Sequence, residues 1–122
     1  MRYSIYGEYF GGNWPETDPH YIKGGPKHIQ LGVCYTPNHE FYAFDIFIVC
    51  DDKSFWSDVD MIPKFLGNYI PSVPVYAKGT FETVFNTKSD IDSTVPALLG
   101  LTNLEKNICE GLVIRPNKNL QT

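Results

Sequence analysis

A chain of 122 residues, 43% hydrophobic and 15% aromatic, has the size and apolar share of one ordinary domain rather than two, and too much core material for a disordered segment. Ten Lys and Arg against 14 Asp and Glu exclude a uniformly basic nucleic-acid coat, although a local groove stays open because phosphate affinity depends on where the cations sit. Cys34, Cys50 and Cys109 contain no Cys-x-x-Cys pair, and the odd count points to thiols in a reducing compartment.

In chain order, Arg2 to Glu8 is extended, with aromatic and β-branched residues and no helical spacing. Residues 11–26, rich in Gly, Pro, Asn and Asp, form a long loop. Residues 29–35 and 41–50 are expected strands, joined by the turn Thr36-Pro37-Asn38-His39 and ended by Asp51-Asp52-Lys53. The second of these is interrupted by Asp45 and falls far short of the roughly 20 residues of a membrane span. Ser57 followed by Asp60 resembles a capping box, with Met61, Phe65, Leu66 and Tyr69 at helical spacing behind it and Pro63 tolerable in the first turn. Residues 73–77 predict a short strand. Thr80 caps a helix running to Asn86, with Phe81, Val84 and Phe85 on one side. Residues 95–101 are a compact apolar piece of open type, and residues 111–115 a last strand closed by Pro116-Asn117. The sum is an α+β domain with an antiparallel or mixed sheet and flanking helices. The first ten residues carry no secretory signal, so the expected setting is intracellular, cytoplasmic or mitochondrial, with no membrane partner.

Three carboxylates fall among apolar neighbours. In residues 41–50, Phe41, Ala43, Asp45, Phe47 and Val49 share one face, and Tyr42, Phe44, Ile46, Ile48 and Cys50 the other. A strand apolar on both faces belongs in the middle of a sheet, so Asp45, its only charge, needs a partner. A backbone amide and a functional group are both open. Glu110 shares a strand row with Leu112 and Ile114, while Arg115 leaves on the face of Val113; Glu110 is either functional or solvated at the strand mouth. Glu8 stands in a row with Tyr6 and Phe10 before Gly11-Gly12, and glycines beside a strand end admit either a ligand or another backbone.

Other motifs fail. Lys78-Gly79-Thr80 lacks the glycine of a phosphate loop, since Val73 stands there. His20, His28 and His39 have no zinc spacing. Asp51, Asp52, Asp58 and Asp60 lack the Gly and terminal Glu of a calcium loop and read as a solvated turn and helix start.

Together, Gly7-Glu8-Tyr9-Phe10-Gly11-Gly12, Phe41-Tyr42-Ala43-Phe44-Asp45-Ile46 and Glu110-Gly111-Leu112-Val113-Ile114-Arg115 resemble three successive motifs of the covalent nucleotidyltransferases. The resemblance is strongest to the ATP-dependent RNA ligases of the phage T4 ligase 2 type and the kinetoplastid RNA-editing ligases. It extends to the linkers Tyr35-Thr36-Pro37-Asn38-His39-Glu40 and Val95-Pro96 through Asn107-Ile108-Cys109. It implies a ligase adenylyltransferase fold, ATP and Mg2+ (or Mn2+) as cofactors, and RNA ends or nicked duplex RNA as partners, in repair or editing. By the same resemblance Glu8 binds the ribose, Phe44 stacks on adenine, and Asp45 supports the nucleotide and nucleophile. Glu110 lies beside the α-phosphate, acting through a divalent metal or its water shell. Arg115 is a phosphate or RNA contact or an ordinary ion pair. Catalytic roles thus fall to Glu110 and Asp45.

The family reaction starts when a lysine in Lys-x-x-Gly attacks the α-phosphate of ATP to give lysyl-AMP. The adenylate then passes to an RNA 5′-phosphate, and a 3′-hydroxyl seals the nick. No lysine precedes Gly7, and the paired-lysine motif expected after Glu110 is missing. Lys64-Phe65-Leu66-Gly67 follows motifs it should precede. The expectation is therefore that residues 1–122 are the central portion of a ligase domain, inactive alone and prone to associate through unpaired sheet edges. The alternatives are a nucleotide- or RNA-binding module derived from a ligase, and a plain structural domain.

Overall fold

A computed structural model describes residues 1–118. Strands β1 (Arg2–Gly11), β2 (His39–Cys50) and β3 (Lys53–Trp56) form one sheet in the order β1-β2-β3. β2 takes the middle, as its two apolar faces require. Its antiparallel pairing with β3 aligns Phe47 with Trp56 and Cys50 with Lys53, so Asp51-Asp52 is a two-residue hairpin turn and not the end of the pairing. β3 was hidden because two acids in succession read as a stop. With the short helices α1 (Ile62–Leu66), α2 (Phe81–Phe85) and α3 (Val95–Leu98), the architecture is compatible with the α+β class. No helix among the described residues is long and apolar enough to cross a membrane.

The chain divides into two compact units. The first comprises Met1–Glu8, Phe41–Pro74 and the described residues from Arg115 onward. Its core is Ala43, Ile46 and Ile48 from β2 with Ile62 and Leu66 from α1, and Phe41 and Ile70 pack against it. Burial of each large aliphatic side chain is worth about 1.5–3 kcal/mol. The helix expected after Ser57 is shorter and turned. A 3₁₀ turn at Val59–Met61 precedes α1, which buries Ile62 and Leu66 while Met61, Phe65 and Tyr69 stay exposed. Ser57 is no cap: its hydroxyl donates to the Asp58 carbonyl at 2.9 Å. The strand expected at residues 73–77 shrinks to a bridge between Ala43 and Ser72, with Val73 N–H donating to Ala43 O at 2.9 Å. Pro74 has no N–H with which to continue it.

The second unit, Tyr9–Glu40 and Val75–Ile114, is held differently. Residues 29–35 form no strand. Gly32 bends the chain at φ 95, and Gln30 uses its side chain locally, accepting from Gly11 N–H at 2.9 Å and donating to Val33 O at 2.7 Å. Buried Asn107 then takes both backbone groups of Cys34, accepting its N–H at 2.8 Å and donating to its carbonyl at 2.6 Å. Asp18 Oδ1 accepts from the Trp14 indole at 3.1 Å, His20 N–H at 2.9 Å and the Thr102 hydroxyl at 3.2 Å. Thr80 caps α2 as expected, accepting from Thr83 N–H at 3.3 Å. The last strand, expected at residues 111–115, is irregular; Leu112, Val113 and Ile114 are exposed, and no strand pairs with them among the described residues.

Candidate functional site

On β2, Phe44 is exposed and Asp45 half-buried, on opposite faces of the strand. Both meet Arg115. Its Nη1 donates to the Phe44 carbonyl at 2.7 Å and its Nη2 to Asp45 Oδ1 at 3.2 Å. The partner Asp45 requires is thus a guanidinium rather than a backbone amide, and both ion-pair partners remain partly solvated. Arg115 was expected to leave on a strand face with Val113; without that strand it reaches β2 instead. Asn117 fastens the same segment. Its side chain donates to Asp60 Oδ2 at 2.7 Å and its carbonyl accepts from Val59 N–H at 2.9 Å.

Glu8 lies exposed on β1. The glycine before it is there for packing: a Cβ on Gly7 would come 2.5 Å from the Phe41 ring and 2.9 Å from Ala43 Cα, and closer still to the Tyr42 carbonyl. Gly12, at φ 85, admits another backbone in the same way, since a Cβ there would meet the Lys27 carbonyl at 2.5 Å.

Glu110 belongs to the second unit and is exposed, with its Oε2 accepting from the Tyr35 hydroxyl at 2.9 Å. The aliphatic row expected around it is absent because residues 111–115 are not a strand. Tyr35 stands in the linker before β2, and its ring meets Phe10 edge-on at 5.2 Å. Tyr35 and Asn107 carry no signal of their own in the sequence, although both lie in the linkers that carry the resemblance. Partners 75 and 73 residues apart leave no local pattern.

Lys64 is exposed in the last turn of α1, and Thr80 is occupied as a helix cap. All three cysteines are free thiols, and burial pushes the Cys34 thiol pKa up, which lowers its reactivity. Among the described residues no group of three or more His, Cys, Asp or Glu side chains is placed to hold a metal ion. The donor set does not fit a metal caged by protein ligands. A single exposed carboxylate such as Glu110 fits a magnesium ion that arrives on nucleotide phosphates and keeps most of its waters. A recess of about 210 Å³ in the second unit is lined by Trp14, Tyr21, Ile22, Pro26 and Pro37 with Gly12, Gly24 and Gly25, and by none of Glu8, Phe44, Asp45, Glu110 or Arg115.

No curated protein matches the chain. The model of the RNA ligase family matches residues 1–122, the whole sequence. The chain belongs to the RNA ligase family.

Proposed function

We propose that this chain is the nucleotide-binding part of an ATP-dependent RNA ligase of the phage T4 ligase 2 and RNA-editing type, which joins RNA 3′-hydroxyl and 5′-phosphate ends. The observation that carries the reading is the Arg115 fork, which ties the end of the last motif to Phe44 and Asp45 of the middle one. In this reading the Phe44 ring stacks on adenine, and Arg115 fixes the strand beneath it by holding its carbonyl. Asp45, on the other face of the strand, holds that guanidinium and so supports the site from behind. Glu8 receives the ribose hydroxyls. Glu110, steadied by Tyr35, serves a magnesium ion on the α-phosphate, which supplies charge neutralisation there. The nucleophile of the family reaction is a lysine ahead of the first motif, and residues 1–6 contain none. In this reading residues 1–122 supply nucleotide binding and not the nucleophilic lysine.

Calorimetric titration with ATP and Mg2+ tests this. The parent chain binds, Phe44→Ala weakens binding by about 2- to 10-fold through loss of the ring contact, and Glu110→Ala removes the Mg2+ dependence. Radiolabel from α-labelled ATP stays off the protein. Absence of binding by the parent, or equal binding by both variants, overturns the reading; a covalent adduct overturns the division between binding and nucleophile.

A further inference from the structure

We infer that the recess walled by Trp14, Tyr21, Ile22 and Pro37 is a subsite for one unstacked base of single-stranded RNA, with Lys23 and Lys27 taking the adjoining phosphates. Two independent observations meet there. The first is the cavity, about 210 Å³, where Trp14, Tyr21, Pro26 and Pro37 stand among Gly12, Gly24 and Gly25 and more of the wall is polar than apolar, as a base with a polar edge requires. It lies below the roughly 300–1,000 Å³ of sites for drug-sized ligands, so it admits one ring rather than an extended peptide. The Trp14 indole N–H is already bonded to Asp18, which leaves its ring as apolar wall, while Tyr21 and Ile22 are each 37% exposed and open to a stacking partner.

The second is charge. In a chain of net charge −4, residues 19–39 contain no Asp or Glu, yet hold Lys23, Lys27 and all three histidines. Lys23 and Lys27 are exposed and flank Gly24-Gly25-Pro26, which line the recess. Asp18 and Glu40 bound that stretch, and the Asp18 carboxylate is taken by three donors. The loop is set beforehand: His39 Nε2 donates to the Lys27 carbonyl at 2.6 Å, Ile29 N–H to Gly11 O at 2.9 Å and Gly25 N–H to Ile22 O at 3.1 Å. Aromatic faces beside lysines, held in place before binding, are how single strands are taken up without base-specific readout. The choice of RNA over other stacking ligands rests on the ligase reading.

The test is binding of a labelled single-stranded octaribonucleotide without ATP, followed by anisotropy and by Trp14 emission in a Trp56→Phe background. Tyr21→Ala weakens binding about 5- to 150-fold, and Tyr21→Phe restores it. Lys23→Gln with Lys27→Gln flattens the slope of log affinity against log salt by about 1.4. Unchanged affinity in Tyr21→Ala, an unchanged salt slope in the double variant, or Trp14 emission that answers a proline-rich peptide and not the oligonucleotide overturns the subsite. RNA binding that persists in a parent chain unable to bind ATP overturns only the nucleotide reading; ATP binding without RNA binding overturns only this one.

Discussion

The two units of this chain solve the same problem with different materials. The first buries aliphatic side chains between a strand and a short helix: Ile46, Ile48, Ile62 and Leu66 lose nearly all their surface. The second spends side-chain polar groups on its own backbone, with Asn107 completing Cys34, Gln30 spanning Gly11 and Val33, and Asp18 gathering three donors. An apolar core tolerates changes of shape at a graded cost, whereas a polar clasp fails at once, because removing one partner strands the other away from water.

The widest separation between the units comes from core truncation. Ile46→Ala costs about 2–5 kcal/mol, and amide hydrogen exchange shows the loss in β2 and α1 while the Asn107 clasp keeps its protection. Asn107→Ala costs about 2–4 kcal/mol by orphaning both backbone groups of Cys34, with faster exchange at Cys34 and Ser93 and none at Ile46. Equal losses of protection in both regions for either variant would break the comparison. Arg115→Ala has a smaller effect, about 1 kcal/mol in urea unfolding, because the pair is partly solvated and one neutral acceptor is lost with it.

The smallest effect is acid loosening of the second unit. Partial desolvation raises the Asp18 carboxyl pKa, but the His20 amide, the Trp14 indole, the Thr102 hydroxyl and the His20 imidazole together hold it below the usual carboxylate value. Because the folded pKa is the lower one, the stabilisation is complete above the ordinary carboxylate value of about 3.9 and fades as pH falls through the folded value. Trp14 emission, read in Trp56→Phe, shifts only below pH about 4, and in Asp18→Asn the shift disappears.

What was legible in the sequence follows the same division. β1, β2 and the Thr80 cap rest on neighbours within a few residues, and period or capping chemistry reveals them. Residues 29–35 and 111–115 have the composition of strands, yet distant side chains answer the backbone needs of the first and, among the described residues, no strand pairs with the second. The three motifs are legible as a set through their resemblance to a family. The geometry that joins them is not: Asp45 and Arg115 are 70 residues apart, Glu110 and Tyr35 75. Nothing in either local stretch reports the other.

The run between Glu110 and Arg115 has a practical consequence. Tyr35 holds one end and Asp45 the other, while Leu112 and Ile114 are exposed and Val113 is 90% exposed. Among the described residues this apolar tetrapeptide pairs with no strand, and an exposed run without a ladder fits the extended cleft of a protease. Elastase, which cuts after small aliphatic residues, should nick after Val113, the most exposed residue of the run. The cut would part Glu110 from the Arg115 and Asn117 clasps, so limited digestion offers a way to sever the last motif.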